Sequence, residues 1–294
     1  RLRLEHAALL TIVGMVRILP LDTAVRTSAR VWRRLAPVLS PTRHRRALEN
    51  VAIAFPEKSE AERRAIVLAH WENLGRVMAE TMQIDRVIAE PDRIRIVSPV
   101  FFRYDNKLGS AIGCSLHMGN WELAIWPLVV AKANPAAVYR TVKNPYVDAY
   151  LRHLRRDLYP GGLLGKGKVD GSIEEGQKTA RKIMDFVRHG GRLGLVCDLY
   201  DKFGLEVPFF GKPAKSVTIA AMIARRLGAR IWLARCTRVG TESRFEIEIK
   251  ELRVPRSANV SEDVRWITAE MQRQFEAWVR DKPEQWMWSN RRWS

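Results

Sequence analysis

Hydrophobic positions change their period about a third of the way along the chain. Leu48, Val51, Ala52 and Phe55 recur at helical spacing and stop at Pro56, which predicts a helix ending there. Ser59-x-x-Glu62 is a capping box, and it opens a longer helix with Val67, Trp71, Leu74 and Met78 on one stripe. From Arg93 the period falls to two, with Ile94 and Ile96 alternating. Ala111 to Leu116 is a short, nearly uncharged run without alternation, as expected of a central strand buried on both faces. A strand at Ala136 to Arg140 precedes a helix with Asn144 as N-cap and Pro145 as its first residue.

The alternation continues with a helix carrying Ala180, Ile183, Met184 and Val187, a Gly190-Gly191 stop and a strand from Leu193 to Cys197. A helix from Ser216 to Leu227 stops at Gly228, strands follow at Ile231 to Arg235 and Phe245 to Ile249, and an amphipathic helix runs near Val264 to Val279. This order predicts an α/β fold with a mixed, largely parallel central sheet flanked by helices and a helical amino-terminal region. The expected division is 1–45 as a membrane-associating helical segment, 46–90 as a helical subdomain and 91–294 as the α/β domain. Gly161 to Gly171 lacks the strand-then-helix context of a phosphate-cradling loop and reads as a plain mobile loop.

Ala7 to Pro20 is a 14-residue apolar stretch broken by Arg17, short of the roughly 20 residues that span a bilayer. Arg26, Arg30, Arg33 and Arg34 follow it, the arrangement of a segment lying on anionic lipid; an ordinary docking helix is the alternative. No small-residue cleavage pattern follows, so the stretch is not read as a secretory signal.

A net charge of +18 favours nucleic acid, anionic lipid or an acidic protein as partner without choosing among them. Cys114, Cys197 and Cys236 each sit in an apolar run. Without paired spacing they read as small core residues, with no disulfide framework and no metal cluster.

The candidate chemistry lies at His117-Met118-Gly119-Asn120-Trp121-Glu122. His117 falls at the carboxyl end of a predicted buried strand, where open α/β sheets place their ligands. Gly119-Asn120 offers a turn and an N-cap ahead of a helical first turn that carries Glu122. Spacing alone is weak: six histidines and 32 acids in 294 residues give about 0.7 chance His-x4-acid pairs. One such pair, His44 and Glu49, stands in an arginine-rich helical run without a strand before it. His117 reads as a general base, with Glu122 holding the ring through its other nitrogen. The amides of Gly119, Asn120 and Trp121 are candidate oxyanion donors. A solvated or capping histidine, and Asn120 as a pure N-cap, are the alternatives.

Four separated blocks add to this reading: Cys114 to Glu122; Val138-Tyr139-Arg140-Thr141-Val142-Lys143-Asn144-Pro145; Val207-Pro208-Phe209-Phe210-Gly211; and Pro283-Glu284-Gln285-Trp286-Met287-Trp288 with Arg291-Arg292. In this order they resemble the bacterial late acyltransferases of lipid A biosynthesis, from roughly Arg46 to the end. The resemblance implies transfer of a fatty acyl group from acyl carrier protein to a hydroxyl of a Kdo2-lipid A intermediate, without cofactor or metal. It places the work at the cytoplasmic face of the bacterial inner membrane, on an anionic glycolipid acceptor.

The resemblance also assigns Arg140 to phosphate binding or oxyanion stabilisation, and Phe209, Phe210 and the Thr218 helix to an acyl-chain groove. Asp198 aligns with a family acid, although Leu199 follows it where the family often has glutamine. A phosphatidylinositol mannoside is an alternative acceptor. A different class, a basic nucleic-acid-binding protein or membrane scaffold, is motivated by the charge and by Trp286, Trp288, Arg291, Arg292 and Trp293, which mix indoles and guanidinium groups as an interfacial belt or a strand-binding surface does. The spread of basic residues along the chain and the lack of a recognition motif argue against nucleic acid.

Overall fold

The computed structural model describes residues 1–98, 109–166 and 173–293. Helices α1 (Leu2–Ile18), α2 (Leu21–Leu39), α3 (Pro41–Ala54), α4 (Glu60–Thr81) and the short α5 (Ile84–Ile88) precede the sheet. The capping box forms as expected: the Ser59 side chain accepts the Glu62 amide while Glu62 accepts the Ser59 amide. Helices α2 and α4 pack closely where Gly75 meets Ser28 and Trp32; a Cβ on Gly75 would lie 2.7 Å from both the Ser28 carbonyl oxygen and Trp32 Cβ.

The α/β part contains β1 (Ile94–Ile96), β2 (Ala111–Ser115), α6 (Trp126–Val130), β3 (Ala136–Arg140), α7 (Pro145–Leu154), β4 (Gly162–Lys166), α8 (Ile173–Arg188), β5 (Arg192–Val196), β6 (Tyr200–Phe209), β7 (Lys212–Ser216), α9 (Ile219–Leu227), β8 (Arg230–Arg238), β9 (Phe245–Leu252) and α10 (Val260–Asp281). The described strands form a seven-stranded sheet in the order β1-β9-β8-β2-β5-β3-β4, and β6 and β7 form a separate hairpin. Every sheet pairing is parallel except β8 with β9, so the sheet is mixed and largely parallel, as the strand-helix alternation predicts.

Strand β2 lies between β5 and β8 with residues buried on both faces, which explains its unbroken apolar run. The expectation of a loop over Gly161 to Gly171 is corrected in part: Gly162 to Lys166 pairs with β3 as an edge strand, while 167–172 lie outside the described residues. Ala47, Val51 and Trp71 of the amino-terminal helices share one apolar cluster with Ile112, Leu193 and Ile231 of the sheet and Phe275 of α10.

The tail is also corrected. Trp286, Trp288 and Arg292 are buried, so they form no interfacial belt and no stacking surface. Trp286 and Trp288 meet edge to face at 4.5 Å, and Phe209 and Phe210 pack against these indoles and Trp293. Cys114, Cys197 and Cys236 are free and buried, and burial pushes the Cys236 thiol up to about 12.

Candidate active site

Strand β2 delivers Ser115, Leu116 and then His117 at the carboxyl edge of the sheet, next to the end of β5 that delivers Cys197 and Asp198. Parallel pairing of the two strands therefore juxtaposes residues 81 positions apart. His117 Nδ1 lies 2.8 Å from Asp198 Oδ1, and the His117 amide donates to Asp198 Oδ2 at 2.9 Å. Trp286 Nε1 donates to the same Oδ2 at 2.7 Å. Burial works to raise the Asp198 carboxyl, but the facing His117 and these hydrogen bonds outweigh it and hold the group below its ordinary value. An ionised carboxylate only accepts, so Nδ1 carries a proton toward Asp198 and Nε2 is the ring nitrogen left to face elsewhere.

The expected orienting role of Glu122 is corrected here. Its carboxylate is held by Arg155, Nε to Oε2 at 2.9 Å and Nη2 to Oε1 at 2.5 Å. Burial works against the Arg155 charge, yet Glu122 outweighs it and raises the guanidinium. The reason lies in the backbone between the two residues. Gly119 adopts φ +55 and Asn120 caps a 3-10 turn from Trp121 to Ile125, so Glu122 is turned toward α7 rather than stacked above His117.

Gly119 and Asn120 are corrected as oxyanion donors. The Gly119 amide donates to the Gln285 carbonyl at 3.0 Å, and the Asn120 amide donates to the Cys236 sulfur. The Asn120 side chain accepts the Glu122 amide and donates to Glu80 Oε2 at 3.0 Å. Both residues hold the turn. The carboxyl-terminal segment completes it: the Met287 amide donates to the His117 carbonyl at 2.9 Å, and Asn73 Nδ2 donates to the Gly119 and Gln285 carbonyls.

Arg292, though fully buried, has among the described residues neutral hydrogen-bond partners: the Lys215 carbonyl, Ser216 and Gln272. Burial pulls it down to about 10, with the Asp198 charge opposing. Gln272 also donates to the Cys197 carbonyl at 2.9 Å, which links Arg292 to the backbone just before Asp198.

His117 opens on a cavity of about 730 Å³, within the range of small-molecule and cofactor sites. Trp121, whose ring centroid is 5.2 Å from that of His117, lines it together with Glu122, Arg155, Tyr159 and many apolar side chains. Arg140 and Asp198's neighbour Leu199 also face it, and Arg140 is exposed at its rim. Val217, Thr218, Ile219 and Met222, around the start of α9, also line it. Phe209 and Phe210 do not line the cavity; they fill the aromatic cluster behind it, because their hairpin folds back on α10, where the Phe210 amide donates to Glu276. Among the described residues no cluster of His, Cys, Asp and Glu could hold a metal ion.

A family model described as bacterial lipid A biosynthesis acyltransferase matches residues 4–294. The chain belongs to this family. It is accordingly an acyltransferase of lipid A biosynthesis. The sequence matches no curated protein. The sequence pattern does not reveal two contacts at this site, Arg155 with Glu122 and Trp286 with Asp198. Neither Arg155 nor Trp286 stands near His117 in sequence, and the signal for both is three-dimensional.

Proposed function

We propose that the acyltransferase moves a fatty acyl group from acyl carrier protein to a hydroxyl of a Kdo2-lipid A intermediate, with His117 as general base. The observation that carries this reading is the buried Asp198 held at 2.8 Å from His117 Nδ1 while the ring faces an apolar cavity. Nε2 takes the proton of the acceptor hydroxyl as its oxygen attacks the thioester carbonyl carbon. The tetrahedral intermediate then collapses, the carbon–sulfur bond breaks, and the leaving thiolate recovers the proton from the imidazolium. Asp198 fixes the tautomer and stabilises the imidazolium, as the carboxylate of a triad does. Glu122 and Arg155 act as a paired wall that shapes the cavity. Arg140, a cation at the rim, suits a phosphate of the acceptor.

The membrane is the expected place of work. Leu4, Ile18, Val38 and Leu39 are each more than 70 % exposed on α1 and α2, beside the exposed Arg30 and Arg34. Apolar side chains interleaved with arginine suit docking on anionic lipid at the cytoplasmic face of the inner membrane. No described helix is long and apolar enough to cross it. The net charge of +18 suits an acidic carrier protein and an anionic glycolipid alike.

The test is transfer of radiolabelled acyl from acyl carrier protein, with acyl-coenzyme A as competing donor, to Kdo2-lipid A precursors and to phosphatidylinositol mannosides. Carrier-dependent labelling of the lipid A precursor supports the reading. Labelling of the mannoside alone moves the acceptor while leaving the reaction.

A further inference from the structure

From His117 the lining of the cavity continues toward the amino ends of the strands through Ser115, Gly113 and Ala111 of β2. Alternate residues of a strand share a face, so these three lie in one line with the imidazole above them. Register sets Trp232, Gly113, Gly194 and Ala137 side by side on four neighbouring strands, and all four line the cavity. Three of them carry at most one carbon as side chain. Glycine inside a strand weakens it, and here marks close approach of something else.

The two glycines differ in what lies over them. A Cβ on Gly194 would meet Ile125 Cδ1 at 2.9 Å, so that position is covered. Among the described residues a Cβ on Gly113 would meet nothing nearer than the Leu193 carbonyl at 3.8 Å. Gly113 is also the only partly accessible residue of an otherwise buried strand, as the bare floor of a cavity must be. Beside it stands Trp232, buried and capped by the Arg230 guanidinium 4.7 Å from the ring centroid. Arg230 is in turn held by two hydrogen bonds to Glu251 at 2.6 and 2.8 Å. The indole is therefore a fixed end wall.

We infer that Gly113 and Trp232 set the length of acyl chain this enzyme accepts, Gly113 as floor and Trp232 as stop. The inference rests on the proposed acyl transfer and adds its chain-length specificity. Gly113 precedes His117 by four residues, which at the rise of a strand is roughly 13 Å. A linear saturated chain whose thioester lies at His117 runs over Gly113 and ends against the indole. Gly113 has no positive φ, so a larger residue there keeps the backbone and projects into the chain's path.

The experiment is a transfer profile over acyl carrier proteins loaded with saturated chains graded in two-carbon steps, for wild type, Gly113→Ala, Gly113→Met and Trp232→Leu, each checked for folding by its thermal transition. Gly113→Met should move the optimum to shorter chains, with a loss of about tenfold or more in kcat/KM for the original optimum and retention for shorter donors. Trp232→Leu should move it to longer ones. If Gly113→Met fails to fold, Gly113→Ala and Trp232→Leu carry the test. Profiles that keep the wild-type optimum, or fall in equal proportion at every length, overturn the inference. Displacement of a fluorescent fatty acid by free fatty acids of graded length reads the same cavity without turnover. A length cut-off that moves in the variants of a protein showing no transfer would uphold the ruler and overturn the reaction. An unmoved cut-off in an active enzyme would do the reverse.

Discussion

At the residue scale, the site turns on which acid serves the histidine. His117 and Glu122 are five residues apart, and that local spacing invites a pairing that the backbone turn at Gly119 forbids. Asp198 takes the place because parallel strands β2 and β5 end side by side. The two carboxylates therefore predict different phenotypes. Asp198→Asn should lower kcat by roughly 10³- to 10⁴-fold with little change in KM, because it leaves the ring in place with the wrong tautomer; steady-state kinetics at saturating acceptor checks this. Glu122→Ala should instead cost about 2–4 kcal/mol of stability by leaving Arg155 without its partner, seen in chemical denaturation, the lower end reflecting the partial exposure of Arg155.

His117 was legible because a buried strand announces its own carboxyl end. Asp198 entered only through the family resemblance, and neither its pairing with the ring nor the Trp286 donor was legible, since nothing in the spacing of residues 117, 198 and 286 marks them as neighbours. Phe209 and Phe210 show the converse error: aromatic residues near a ligand-binding unit read as groove, although large aromatics serve more often as core.

At the scale of elements, the turn after β2 is the least forgiving part of the molecule. A Cβ on Gly119 would fall 1.9 Å from the Cys236 carbonyl oxygen, and the residue sits at φ +55. Gly119→Ala should therefore cost roughly 3 kcal/mol or more and abolish transfer, with a lowered thermal transition as the readout. Behind the turn, Glu80 of α4 holds Asn120 at 3.0 Å and forms a fully buried pair with Arg238. The amino-terminal helices thus support the site as well as any docking surface. Most elements were legible in the sequence, because capping boxes, N-cap asparagines and glycine stops act through neighbouring residues. The edge strand β4 and the hairpin β6–β7 were not, since edge and hairpin strands take their partners from elsewhere and carry no buried apolar run.

At the scale of the whole molecule, the charge and the exposed apolar side chains of α1 and α2 give the predicted membrane dependence. Ile18→Ser with Val38→Ser should weaken binding to anionic vesicles and leave transfer to detergent-dispersed acceptor intact; co-sedimentation over a salt series measures the first. Acid stability gives a second whole-molecule test. Asp198 is held below the ordinary carboxylate value, so its contribution is present above the unfolded value of about 3.9 and is lost as pH falls through the folded value. Wild type should exceed Asp198→Asn in stability by most near neutrality, and the gap should narrow in strong acid, as urea midpoints at the two pH values will show.

In the proposed reaction His117, oriented by Asp198 and not by Glu122, is the base of the acyl transfer. The most direct measurement is acyl transfer from acyl carrier protein to a Kdo2-lipid A precursor by folded His117→Ala, Asp198→Asn and Glu122→Gln proteins beside wild type. Losses of several orders of magnitude are expected for His117→Ala and Asp198→Asn, with a much smaller loss for Glu122→Gln. Full activity in His117→Ala, or a loss in Glu122→Gln equal to that of His117→Ala while Asp198→Asn stays active, would contradict this assignment.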